Sequence, residues 1–188
     1  MNKIIVLLVL CSFSAGFVSA LDSEKTGKVE VSFSFTKQSG FSSNQFAVWI
    51  EDAQGGYVKT LYATKFTATG GWQKRENSIP RWVKQSNLAG MSKAQVDAIT
   101  GPTPKSGTLR YSWDGKDYTG KEVKAGEYRV YVEATLRDEN QVLYMAIVIL
   151  GESGKVSFDT ESNAKAQYFG ANIKERKMIG PVTVTSKI

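Results

Sequence analysis

An all-β antiparallel sandwich is the fold class this sequence predicts, on three observations. Apolar and polar residues alternate with period two in at least five segments. Turn-forming residues separate those segments at short intervals. The part expected to fold, residues 21–188, is 168 of the 188 residues, one domain's worth and long enough to bury a real core.

Residues 1–20 read as a cleaved signal peptide. Lys3 is a positive n-region, Ile4 to Leu10 an apolar h-region, and Val18-Ser19-Ala20 the small-residue cleavage site before Leu21. The apolar run is too short to span a membrane. Cys11 follows Leu10 rather than a small residue and so reads as a passive part of the leader. The expectation is export to the periplasm or beyond, a single domain at 21–188, and no transmembrane segment in the mature chain.

The elements follow in order. Val29, Val31, Phe33 and Phe35 alternate with polar residues and predict a half-buried strand. Phe46, Val48 and Ile50 predict a second, and Tyr57 to Tyr62 its hairpin partner across the Asp52 to Gly56 turn. Periodicity is lost from Thr69 to Ser86, where Gly70-Gly71 and Pro80 interrupt a segment rich in Trp and Arg. Ser92 and Gln95 have capping-box spacing and predict one short helix to Thr100, stopped by Gly101-Pro102. Leu109, Tyr111 and Trp113 predict a strand, and Tyr128, Val130, Val132 and Ala134 another. Asp138-Glu139-Asn140 turns into the apolar run Gln141 to Leu150, fit for a central strand. Val156 with Phe158 suggests a short strand, and Val182 with Val184 the last, entered at Pro181. That is around eight strands.

Composition excludes whole classes of chemistry. The chain has no His, and its single Cys lies in the leader. Disulfides, imidazole or thiolate metal sites and His-dependent triads are therefore excluded from the mature chain. The 24 Lys and Arg exceed the 18 Asp and Glu, but the basic residues are scattered. The Lys174 to Lys177 run reads as a solvated face, and export argues against a nucleic-acid partner.

The stretch Ser112 to Ala134 reads first as turn chemistry, with Asp114-Gly115, Thr119-Gly120 and Ala125-Gly126 as tight points. Trp113-Asp114-Gly115-Lys116-Asp117, Gly120-Lys121 and Ala125-Gly126-Glu127-Tyr128 together resemble the cassette of the immunoglobulin-like domain of flagellar hook-capping proteins. With "FAVWIEDAQGGYVKTL" at Phe46 to Leu61, Arg81-Trp82 and "VDAITG" at Val96 to Gly101 ahead of it, nearly the whole mature chain resembles the exported family called domain of unknown function 2271. The fold implied is an immunoglobulin-like antiparallel β-sandwich. Members are often encoded beside an FMN transferase and a PepSY-type membrane reductase. The resemblance thus implies partners of those two kinds and extracytoplasmic flavin or iron redox chemistry.

Two constellations are candidates for function. "DAITGPT", Asp97 to Thr103, resembles the acceptor motif of bacterial FMN transferases: Asp, two variable residues, Ser or Thr, Gly, Ala, Thr. Asp97, Thr100, Gly101 and Thr103 match, and Pro102 stands where the motif has Ala. The resemblance implies a covalent FMN on the Thr103 hydroxyl. Pro104 biases Thr103 toward an extended, reachable conformation. The same stretch also reads as a helix, a glycine stop and a proline-rich exit. Trp72, Arg75, Arg81 and Trp82 are the second candidate, since guanidinium and aromatic groups suit a flavin ring and a phosphate; core packing is the other reading. Gly151 to Lys155 lacks the spacing of a P-loop. No catalytic or metal-ligating set emerges, so the chain is expected not to be an enzyme on its own. The readings left are a flavin-bearing or flavin-handling accessory protein and a non-catalytic protein-binding or scaffold module.

Overall fold

The computed structural model describes residues 28–39, 43–136, 140–151, 160–169 and 178–187. The leader, most of the turn at 138–140, the strand suggested at Val156 and Phe158, and the Lys174 to Lys177 run lie outside the described residues.

Among the described residues, ten strands form an all-β sandwich of two sheets. They are β1 (Lys28–Phe35), β2 (Gln45–Asp52), β3 (Tyr57–Thr64), β4 (Thr100–Gly101), β5 (Gly107–Trp113), β6 (Gly126–Thr135), β7 (Gln141–Leu150), β8 (Thr160–Asn163), β9 (Lys165–Phe169) and β10 (Ile179–Lys187). One sheet has the order β5-β1-β10-β8 and the other β4-β3-β2-β6-β7-β9. Pairing is antiparallel except for the two-residue parallel contact of β4 with β3. β4, β8 and β9 carry no run of alternating apolar residues, so periodicity did not announce them.

The alternating residues do what their period requires. Val29, Val31, Phe33 and Phe35 of β1 meet Phe46, Val48 and Ile50 of β2 and Val130, Val132 and Ala134 of β6 in the core between the sheets. Each large side chain buried there is worth about 1.5–3 kcal/mol.

A second core lies on the opposite face of the six-stranded sheet. Every residue from Gln45 to Glu51 is buried, so β2 is covered on both sides. The cover is residues 67–99: a helical turn at Thr67–Gly71, α1 (Trp72–Lys74), α2 (Pro80–Gln85), a 3-10 turn at Leu88–Gly90 and α3 (Lys93–Ile99). Ala47, Trp49 and Tyr131 from the sheet pack there with Ile79, Trp82, Leu88 and Val96. The stretch without periodicity is thus a helical layer in short pieces. Only α3 was expected as a helix, and its capping box forms: Ser92 Oγ accepts from Gln95 N, and Gln95 Oε1 accepts from Ser92 N.

The first part of the cassette, Trp113 to Gly126, turns the chain from β5 into β6. Trp113 is buried, its Nε1 donating to Lys116 O at 2.8 Å and its ring edge-on to Tyr128. Gly115 takes φ of 71° after Asp114, whose Oδ1 accepts from Lys116 N. Asp117 Oδ1 accepts from Thr119 N, Thr119 Oγ1 and Lys121 N. Every carboxylate oxygen used here turns the chain.

Candidate functional site

The Asp97 to Thr103 motif runs from a helix across a sheet edge into a loop. Asp97 is exposed on α3 and ion-paired with Lys93 one turn earlier. That bond holds its carboxyl below the ordinary carboxylate range. Thr100 and Gly101 form β4 and pair with Ala63 and Thr64. Gly101 lies against the Tyr62 ring so closely that a Cβ would sit 2.8 Å from it, so a larger residue there would have to displace the ring. Tyr62 Oη donates to Pro102 O at 2.6 Å. Thr103, half-buried, is the next residue, on the loop that carries the chain from β4 in one sheet to β5 in the other.

Tyr62 therefore organises this corner, a role sequence reasoning missed. Its ring stacks on Tyr111 of β5 at 5.1 Å and on Phe46 at 5.3 Å. Both tyrosines are half-buried, and burial raises both phenols above the ordinary tyrosine value. The result is a partly open aromatic pair at the seam of the two sheets, one residue from Thr103.

The second constellation does not assemble as one surface. Trp82 is completely buried. Its Nε1 donates to Thr60 Oγ1 at 2.9 Å, so it offers no face to a ligand ring. The Arg75 guanidinium lies over Phe66, 5.4 Å from the ring centre. Trp72 is half-buried in the outer core. Arg81 lines a cavity, and its setting is unusual.

Trp49 and Tyr131 are cross-strand partners on β2 and β6, stacked at 5.0 Å and 15°. The Arg81 guanidinium lies over the Tyr131 ring, 4.5 Å from its centre. Arg81 Nη2 reaches Glu51 Oε2 at 3.1 Å, and Trp49 Nε1 donates to Glu51 Oε1 at 2.7 Å. Glu51 is completely buried, whereas the Arg81 side chain is 43% exposed. A buried carboxylate thus holds an arginine whose outer edge faces solvent.

A second buried carboxylate positions the backbone beneath it. Glu133 Oε1 accepts from Arg81 N at 3.1 Å and Oε2 from Trp82 N at 2.8 Å, satisfying first-turn donors of α2. Burial pushes the Glu133 carboxyl up to about 7, against the pull of those two N–H groups and the Arg81 charge. Ile79, just before the helix, has φ of 44° and ψ of 57°, a strained conformation for a β-branched residue. Pro80 at the helix start disfavours the right-handed region for Ile79. Full burial and the bond from Ile79 N to Thr135 Oγ1 hold it in place.

The outer edge of Arg81 faces a cavity of about 500 Å³ lined by Pro80, Lys84, Gln85, Glu133, Gln141, Val142, Leu143 and Gln167. Sequence reading missed Glu51 and Glu133 because each occupies a polar position of an alternating strand, where solvent exposure is the ordinary inference. The available signal was Trp49 on the same face as Glu51.

A model of the family described as Predicted periplasmic protein (DUF2271) matches residues 26–168. The chain belongs to this family. The match covers the strands from β1 to β9, the helical layer and both candidate regions. No curated protein and no solved structure matches the chain. This DUF2271 protein is periplasmic, and among its described residues no helix is long and apolar enough to cross a membrane. Its two candidate regions sit apart: β3, β2 and β6 separate β4 from β7, a span of roughly 20 Å at ordinary strand spacing.

Proposed function

We propose that Thr103 accepts a covalently held FMN and that the protein carries electrons in the periplasm, served by an FMN transferase and coupled to a PepSY-type membrane reductase. The observation that carries this reading is the setting of Thr103. It lies on a loop between two prolines, beside the carbonyl that Tyr62 holds and next to the Tyr62–Tyr111 pair. Its hydroxyl has no hydrogen-bond partner among the described residues.

The chain's own residues would do three things. Pro104 biases Thr103 toward an extended backbone, as a modifying enzyme requires. Tyr62 and Tyr111 would offer an aromatic face to the isoalloxazine ring. Gly101 allows the loop to lie close on Tyr62. In attachment, Thr103 Oγ bonds to the FMN phosphorus as the pyrophosphate bond of FAD breaks and AMP leaves. The hydroxyl proton passes to a base of the transferase. Bound FMN supplies the one- and two-electron chemistry that a mature chain without His or Cys lacks.

Peptide mass mapping of protein exported by its native host tests the proposal. An FMN adduct on the peptide holding Thr103, absent in Thr103→Ala, is the expected result. An unmodified peptide from cells that contain the transferase would overturn it. A ligand-binding role is favoured separately by the cleft at Arg81.

A further inference from the structure

The cleft at Arg81 has the construction of a recognition site. Burying Glu51 and Glu133 is costly, and a buried ion pair is weak evidence for stability. Here both carboxylates act on one segment. Glu51 and the Trp49–Tyr131 stack fix the guanidinium, and Glu133 fixes the backbone of Arg81 itself. The strained Ile79 stands two residues before it. An arginine so fixed loses little side-chain freedom when it binds.

The free donors define the ligand. Arg81 Nε and Nη1 have no partner among the described residues, and neither has Lys84 Nζ. Lys84 stands three residues after Arg81 on α2, on the same side of the helix, and lines the same cavity. The charge is modest, with Arg81 and Lys84 set against Glu51 and with Glu133, whose carboxyl burial pushes up to about 7, in the same lining. The first-turn N–H groups that could cradle a phosphate are already taken by Glu133. The apolar part of the remaining wall comes from Pro80 and Leu143, with the amides of Gln141 and Gln167 beside it. The volume of about 500 Å³ suits a small molecule.

We propose that this cleft binds a small monoanionic ligand with a carboxylate on an apolar body. The carboxylate takes the outer hydrogens of Arg81 and the Lys84 ammonium, and the body lies on Pro80 and Leu143. This site does not depend on Thr103 and stands whether or not the chain carries a flavin.

Amide and side-chain NMR of the mature protein at pH 6 tests it, with sodium hexanoate, hexanamide and inorganic phosphate as probes. Hexanoate should saturate shifts at Arg81 Nε–H and at the Gln141 and Gln167 amides. Hexanamide should bind at least about tenfold more weakly, and Arg81→Lys should weaken hexanoate by a similar factor. Lys84→Gln should weaken it by about threefold and, on an exposed residue, keeps the test open if Arg81→Lys does not fold. The proposal is overturned by hexanoate shifts that do not saturate, by equal binding of hexanamide, by tighter binding of phosphate, or by unchanged binding in Lys84→Gln.

Discussion

The two faces of the six-stranded sheet solve different problems with the same strands. The inner face of β2 and β6 presents Phe46, Val48, Ile50, Val130, Val132 and Ala134 to the other sheet. The outer face presents Gln45, Trp49, Glu51, Tyr131, Glu133 and Thr135, all buried, to the helical layer. The inner core is held mainly by apolar area, with side-chain hydrogen bonds at its margins from Trp113, Tyr128 and Tyr144. The outer one is threaded with hydrogen bonds: Gln45 Oε1 accepts from Thr64 Oγ1 and Thr67 N, and Thr135 Oγ1 receives Ile79 N. Apolar packing tolerates repacking, whereas each polar link specifies one position of the covering chain. The inner face therefore makes the sandwich, and the outer face fixes where residues 67–99 lie.

Two tryptophans of equal size break this comparison open. Trp113→Ala in the inner core should cost about 3–5 kcal/mol and lower the protection of the whole sandwich. Trp82→Ala should cost a similar amount, but its effect should fall first on the helical layer. Hydrogen exchange of that variant should show faster exchange in residues 67–99 while β1 and β10 keep their protection. Equal loss in both regions would mean that the two cores are one cooperative unit.

Removing a polar link is a finer cut. Glu133→Ala leaves Arg81 N and Trp82 N without their acceptor and should cost about 3 kcal/mol in urea unfolding.

The same residue gives the outer face a pH dependence that the inner face lacks. Its carboxyl rises from 4.5 to about 7 on folding, so between those values the native chain holds a proton that the unfolded chain has lost. The Glu133 contribution is fully present below pH 4.5 and is lost as pH rises through about 7. Stability measured across that window should fall with rising pH, and the Glu133→Gln variant should lose this part of the slope.

The smallest effect belongs to an exposed contact outside both cores. Lys59 and Asp114 form an ion pair at 3.1 Å with side chains 29% and 52% exposed. Lys59→Ala should change stability by less than about 1 kcal/mol.

The inner face was legible in the sequence and the outer face was not, for a physical reason. Period-two alternation locates β1, β2, β5, β6 and β10 because one side of each strand must be apolar, and β7 shows as a continuous apolar run. It says nothing about whether the polar side meets water or a second layer. Glu51 and Glu133 look solvent-facing until residues 67–99 are folded over them. That cover is built of helices shorter than two full turns, too short to show a helical period, and only the capping box at Ser92 marks one of them. In the Asp97 to Thr103 motif the helix and the glycine were legible. Their arrangement around Tyr62 was not, because it depends on β3 and β5 coming together from distant parts of the chain. Arg81 was singled out, but grouped with Trp72, Arg75 and Trp82; the fold gives it Tyr131, Glu51 and Lys84 instead.

The central claim is that the Glu51–Arg81 ion pair exists to present Arg81 at the cleft rather than to hold the fold together. The double variant Glu51→Gln with Arg81→Met tests it most directly, because it removes both charges and leaves Trp49 Nε1 an acceptor. Urea unfolding and hexanoate titration of this variant should show stability within about 1 kcal/mol of the parent and binding weakened by at least about tenfold. A loss of more than about 3 kcal/mol, or hexanoate binding equal to the parent's, would contradict it.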